Sequence, residues 1–234
     1  MRKDNISVGF FVGCKYSEKH TIVNECVESI INFHPEHDRK SIFVVDSDSE
    51  DLSYGHKLVD EFGIIFDEAK NKHYTTGMIW HAYENYNYDF YFFLHDSLEV
   101  QDCLYDLICH DIVPLMYWDM RPGVAGWWDS ERQRQWAVDN FKLTDIEFAE
   151  KDVYGIFGPT FGISRNLLDS LYSKNFHKML PTDKEFSTSM ERAWGIAISQ
   201  EGLMSQIKDN AIIGTYRGYP KHEDRIRKTW LRRE

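Results

Sequence analysis

Within the first hundred residues, short apolar runs alternate with amphipathic stretches, and this alternation limits the fold more than any other feature of the chain. Ile6 to Val12, Ser41 to Val45, Gly63 to Phe66 and Asp89 to Leu94 are brief and apolar, as buried strands are. Between them, residues His20 to Phe33 carry apolar side chains at helical spacing, and helices are also expected at Leu52 to Phe62 and Thr75 to Tyr86. In the first helix the apolar positions are Ile22, Val23, Cys26, Val27, Ile30 and Ile31, and His34-Pro35 ends it. A β-α-β-α-β-α-β order predicts an α/β fold with a mainly parallel central sheet flanked by helices. In such sheets ligands bind beyond the carboxyl ends of the strands.

The second half is less regular. A short helix is expected at Leu104–Cys109, a strand at Ile112–Trp118 and a loop at Gly123–Trp128. Val153 to Ile163 is glycine-rich, helices follow at Asn166–Tyr172 and Ser187–Gln200, and a late strand is expected at Ala211–Thr215. With 234 residues, no internal repeat and no convincing linker, the whole chain 1–234 is expected to form one domain.

A net charge of −11 argues against generic binding to nucleic acid, which needs a basic field. The end of the chain differs. Arg217, Lys221, Arg225, Arg227, Lys228, Arg232 and Arg233 stand there against Glu223 and Asp224. Such a tail is either a solvated basic end or a surface for an anionic ligand or peripheral contact with an anionic membrane. Cys14, Cys26, Cys103 and Cys109 form no close pair, so free thiols in a reducing, cytoplasmic setting are expected. No secretory signal and no transmembrane segment are expected, because no apolar run approaches about 18 residues.

Candidate chemistry gathers after the second and fourth strands. Asp46, Asp48, Glu50 and Asp51 form an acidic loop, read either as a turn with a helix cap or as oxygen ligands for a cation. His95-Asp96-Ser97 follows a strand too apolar to lie at an edge, and is read either as a polar strand terminus with Asp96 capping a turn or as the place where a metal or phosphate would be held. Asn71 to Gly77 leads into a helix and is read either as an ordinary N-cap at Thr75 or Thr76 or as an anion site at the helix N-terminus, where Lys72 could pair with a phosphate. Gly158 and Thr160 belong to the glycine-rich segment, which suits either close backbone approach to a ligand or a tight turn. Glu191 is a carboxylate suited to general-base work or to a surface pair with Arg192, and His222 is a lone histidine in the basic tail.

Together these segments resemble the GT-A class of nucleotide-sugar-dependent glycosyltransferases, of the family 2 kind. Ile42 to Asp51 resembles that class's Val-Val-Asp-Asp-x-Ser-x-Asp segment, and His95-Asp96-Ser97 sits where the class carries its metal-binding Asp-x-Asp motif. The resemblance covers about Ser7 to Thr215 and implies a single GT-A-like, Rossmann-like domain. A donor-binding half would occupy about 1–100, an acceptor half about 101–215 and a basic tail 216–234.

The resemblance also implies an inverting transfer of a hexose or pentose from a nucleotide-diphosphate sugar to a glycan or other hydroxyl acceptor. Asp46, Asp48, Lys72, Gly77, His95 and Asp96 would contact the donor. Asp96 and His222 would hold Mn²⁺ or Mg²⁺. Glu191 would be the catalytic base, and Trp127, Trp128, Gly158, Thr160 and Trp194 would face the acceptor. The sequence departs from the class motif in having one carboxylate, Asp96, where the class has two. That departure keeps two other readings open: a catalytically inactive relative that binds a nucleotide or glycan, and a nucleotidyltransferase. The latter usually carries a glycine-rich basic loop after its first strand, and here Gly13 to Lys19 holds one glycine.

Overall fold

The computed structural model describes residues 6–15, 22–71, 73–119, 131–141, 154–212, 214–215 and 225–228. Its centre is a six-stranded sheet in the order β3-β2-β1-β4-β9-β6. Strands β1 (Val8–Cys14), β2 (Ile42–Asp46), β3 (Ile65–Glu68) and β4 (Phe90–His95) run parallel. Helices α1 (Val23–Phe33), α2 (Ser53–Phe62) and α3 (Tyr74–Asn85) connect them in turn. This is the expected parallel α/β order, with strand ends displaced by one or two residues.

The strands read as unbroken apolar runs because both faces of the sheet are covered. Alternate side chains enter two separate cores. Phe10, Val12, Val44 and Phe92 pack on the side of α1, while Phe11, Phe43, Tyr91 and Phe93 pack on the side of α3. Stacked pairs tie neighbouring strands together: the Phe10 and Phe92 rings lie 5.0 Å apart and the Phe11 and Phe43 rings 4.6 Å apart.

Beyond β4 the chain departs from the simple alternation. The stretch expected as one strand at Ile112–Trp118 divides at Leu115 into β6 (Ile112–Pro114) and β7 (Met116–Asp119). Strand β6 is an edge of the main sheet, whereas β7 joins a second sheet with β8 (Tyr154–Ile156) and β10 (Gly214–Thr215). Pro114 ends β6 on that edge, where its missing N–H costs no ladder bond. The glycine-rich segment is mostly strand as well. Strand β9 (Phe161–Ser164) inserts antiparallel between β4 and β6.

Helices α4 (Glu131–Phe141), α5 (Arg165–Ser173), α6 (Lys184–Gln200) and α7 (Met204–Asp209) complete the second half. Ser164 caps α5 by accepting from the Leu167 N–H, and Asp183 caps α6 by accepting from the Phe186 N–H. Helix α6 approaches β8 so closely that a Cβ at Gly195 would lie 1.8 Å from the Tyr154 carbonyl oxygen.

Part of the basic tail is structured. Strand β11 (Ile226–Lys228) pairs antiparallel with β5 (Leu98–Val100). The Arg225 guanidinium reaches the Asp106 carboxylate at 2.5 and 2.8 Å, and Arg227 pairs with Glu99. These two charges therefore face protein carboxylates. No helix among the described residues is long and apolar enough to cross a membrane.

Two expected outcomes follow from this packing. Gly195→Ala should destabilise the fold severely, because helix and strand backbones must move apart, and urea denaturation checks this. His34 gives a pH dependence. Its Nδ1–H donates to the Ile30 carbonyl at 3.0 Å and its Nε2 accepts from the Leu104 N–H at 2.9 Å, an arrangement that needs the neutral ring. Burial accordingly lowers the His34 pKa, and burial lowers that of His37 as well. A pKa depressed on folding gives stability that is complete above the unfolded value of about 6.5 and is lost as pH falls below it. Urea midpoints should therefore fall from pH 7 to pH 5, and by less in His34→Gln.

Candidate functional site

Strand register brings the candidate residues together. Gly13 lies opposite Val45 on one side and His95 on the other, and Cys14 lies opposite Asp46. Two backbone bonds extend this alignment past the strands: Ser47 N–H to Cys14 O at 2.9 Å and Asp96 N–H to Gly13 O at 3.2 Å. The acidic loop and the His-Asp-Ser turn thus begin abreast at the carboxyl edge of the sheet. An open cleft of about 320 Å³ lies there. Gly13, Cys14, Lys15 and Ser47 form its sheet side, and Tyr74, Thr75, Met78 and Thr182 form its helix side.

Asp46 is buried, with 1% of its surface exposed. Its carboxylate accepts from the Ser49 N–H at 2.8 Å, the Ser49 hydroxyl at 2.5 Å and the Tyr54 hydroxyl at 2.7 Å. These bonds give Asp46 a structural role of its own. The carboxylate folds the loop that carries Ser47 and leaves Ser47 on the cleft wall. Asp48 is exposed in the same loop with a positive φ of 69°, a conformation that Asp tolerates better than most residues.

The floor of the cleft is a buried polar cluster. The Cys14 thiol hydrogen-bonds with Tyr54 and Asp96, and burial followed by the Asp96 charge raises its pKa. Tyr54 is raised too, first by burial and then by its neighbours Cys14 and Asp46. Cys26 is fully buried, donates its S–H to the His95 carbonyl at 3.6 Å, and is raised by burial and by the Asp96 charge. Both thiols therefore stay protonated and unreactive.

The His95 ring stands between α3 and the turn after β8. Its Nε2 lies 2.9 Å from the Thr75 hydroxyl oxygen. Gly158, at a φ of 59°, packs against the ring so closely that a Cβ would sit 3.0 Å from Cε1. Gly158 is buried and backs His95.

Several other candidate residues are buried. Trp194 is fully buried. It packs against Phe161 at 5.0 Å, Phe176 at 4.8 Å and Trp80 at 5.5 Å, so neither of its faces is offered to a sugar. Thr160 is 1% exposed and its hydroxyl donates to the Phe157 carbonyl, which makes it a turn residue. Gly77 is buried beneath Asn71, whose side-chain oxygen would lie 2.2 Å from an added Cβ. Its absent side chain makes room for the Asn71 bond to the His73 N–H. Glu191 does not line the cleft. It lies two turns into α6, about 10 Å along the axis from Lys184. Lys72, Trp127, Trp128 and His222 lie outside the described residues.

The donor set was expected to suit a divalent cation. Among the described residues no group of three or more His, Cys, Asp and Glu side chains is placed to hold a metal ion. Asp96 supplies one hard oxygen donor. It therefore fits a cation whose remaining ligands are phosphate oxygens and water, the way Mg²⁺ is commonly held. Cleft residues that the sequence reading left without a role are Lys15, Ser47, Tyr74, Thr75, Met78 and Thr182. Tyr74 and Thr75 lie within a segment singled out for its helix start, whereas Thr182 carries no local signal.

No protein-family model matches this chain, and no curated protein does. Among solved structures it is similar to S. aureus TarS residues 1–349 in complex with UDP. That match is 13% identical, covers 79% of this chain and 54% of that one, and has a TM-score of 0.45. It is also similar to glucosyl-3-phosphoglycerate synthase from Mycobacterium tuberculosis in complex with Mn²⁺, UDP-glucose and glycerol 3-phosphate. There the identity is 14%, the coverage 91% of this chain and 70% of the other, and the TM-score 0.45. Against residues 1–349 of TarS without UDP, the chain spans 55% of the other's length. Likenesses this distant carry nothing about activity.

The cleft floor leads to a chemical expectation. Cys103 and Cys109 are exposed, whereas Cys14 and Cys26 are buried. An aromatic disulfide reagent should modify the exposed pair quickly in the native protein and reach the buried pair only on unfolding. Rapid reaction of all the thiols would contradict the buried cluster.

Proposed function

We propose that this chain is a glycosyltransferase of the GT-A kind, moving a sugar from a nucleoside-diphosphate donor to a hydroxyl acceptor. The observation that carries this reading is the shared edge. One parallel-sheet edge brings together a cleft, a lysine at its wall, the first turn of α3 and the Asp96 turn. A nucleoside diphosphate meets such a site with its base toward Ser47 and its phosphates toward Lys15 and Asp96. A hydrogen-bonding turn, a cation and a helix N-terminus are the groups that chemistry calls for.

In the transfer, the acceptor hydroxyl oxygen bonds to the anomeric carbon as the bond from that carbon to the donor phosphate oxygen breaks. The hydroxyl proton passes to a base, and the nucleoside diphosphate departs with the bonding pair. Glu191 is the base we propose, on the helix whose N-terminal end adjoins Thr182 at the cleft. Mn²⁺ or Mg²⁺ at Asp96 would neutralise charge on the leaving diphosphate. Lys15 would act on the same charge, and Thr75 would hold the His95 ring in place beside it.

A second reading is a catalytically inactive relative that binds the nucleotide alone. The single carboxylate at the β4 end favours it. Thermal shift with UDP, GDP, CDP and dTDP, each with and without Mn²⁺, tests the donor site, because a ligand that binds only the native state raises Tm. One nucleotide should stabilise the protein, more strongly with Mn²⁺, and Asp96→Asn should remove the metal-dependent part. Glu191→Gln should slow sugar transfer by a factor of about 100 or more while leaving the nucleotide shift intact. Nucleotide binding without any sugar transfer supports the second reading. No response to any nucleotide in folded protein rejects both.

A further inference from the structure

Tyr74 is held in a conformation that an aromatic residue rarely adopts. It opens α3 with a φ of 54°, in the left-handed region. A bulky residue there is an outlier that persists only when its surroundings fix it. The surroundings do so here. Asn71 accepts from the His73 N–H at 3.0 Å, the His73 carbonyl accepts from the Gly77 N–H at 3.0 Å, and the His73 ring Nδ1–H donates to the Pro181 carbonyl at 3.0 Å. The turn before α3 is thus bound at both ends and tied across to the segment that starts α6.

Packing does not explain the side chain that this turn presents. Tyr74 is 37% exposed and is one of two exposed large hydrophobic residues among those described. Its hydroxyl makes no hydrogen bond among the described residues, and Tyr74 is one of the residues that line the cleft. The Lys184 ammonium lies 5.7 Å from the ring centroid. Tyr74 therefore stands on the wall of the cleft that Lys15 and Ser47 also line, in a backbone conformation that glycine or asparagine would adopt with less strain.

We propose that Tyr74 is the platform on which the nucleobase of the ligand stacks. The proposal rests on the nucleoside-diphosphate reading above and adds the residue that reads the base. With the phosphates toward Lys15 and Asp96, the base falls at the β1–β2 side of the cleft, between Ser47 and the Tyr74 ring. An aromatic face accepts any base, so Tyr74 supplies affinity for a planar ring, and the choice among bases falls to the polar groups around it.

The test uses the full chain, the nucleoside diphosphate that best stabilises it, the corresponding nucleotide sugar, and inorganic pyrophosphate, which has the phosphates without the base. Calorimetric affinities are compared for wild type, Tyr74→Phe and Tyr74→Asn. Tyr74→Asn should weaken the nucleoside diphosphate roughly 5- to 150-fold, the range for one base on one aromatic ring, and leave pyrophosphate unchanged. Tyr74→Phe should bind like wild type. Because Asn tolerates the left-handed conformation, Tyr74→Asn should melt no lower than wild type, whereas a packing role would lower its Tm.

Unchanged nucleoside-diphosphate affinity in Tyr74→Asn overturns the proposal. So does an equal loss for pyrophosphate, or a loss confined to the nucleotide sugar, which would place the sugar on the ring instead. Absence of nucleotide binding in the wild type defeats the donor reading itself. That outcome is distinct from wild-type binding that the substitution leaves untouched.

Discussion

The register of β1 against its two neighbours determines the rest of this molecule. Because β1 pairs in parallel with both β2 and β4, Cys14, Asp46 and His95 emerge at one edge of the sheet. Each strand end then turns sharply, and each turn is held by a bond back to β1, from Ser47 to Cys14 and from Asp96 to Gly13. A shift of one residue in either pairing would move every side chain of that strand to the opposite core. It would also carry the loop that Asp46 folds away from the turn that holds Asp96. The site therefore depends on the same apolar contacts that hold the sheet, such as the stacked rings of Phe11 and Phe43.

The parallel half of the fold was legible because its central strands are buried on both faces and α1 and α2 have a clear apolar stripe. The antiparallel additions were not. Nothing local in Phe161–Ser164 says that it inserts between β4 and β6, since that placement is a long-range pairing. Pro114 and Leu115 divide one apolar run between two sheets, and a periodicity reading sees only the run. At the site, the position of Asp46 was legible and its contacts were not. An acidic residue at a strand end looks the same in sequence whether it faces a ligand or folds its own loop. In the structure its carboxylate is buried and bonded within its own loop. Trp194 shows the converse. A tryptophan near a candidate base invites a sugar-stacking role, but its helical position turns it into the core beside Trp80 and Phe176.

The aromatic content divides on the same principle. Most of the described rings pack inside, and several hydroxyls among them are anchored, as Tyr91 is to the Tyr86 carbonyl and Tyr83 to Asp169. Tyr74 has an exposed side chain and, among the described residues, no bonded hydroxyl, and its backbone conformation disfavours a side chain of that size. A residue whose local rules are broken while its neighbours obey theirs is where a functional constraint is expected. The same contrast applies to the lysines. Lys174 pairs with Glu201, and Lys184 lies over a ring at the cleft.

Amide hydrogen exchange with and without the best-binding nucleoside diphosphate tests the central claim most directly, because it reports where on the chain the ligand acts. Bound ligand should slow exchange at residues 13–15, 47–49, 73–78 and 95–97, which approach one another only at the carboxyl edge of the sheet. Protection confined elsewhere, or none at that edge despite saturating ligand, would contradict the account.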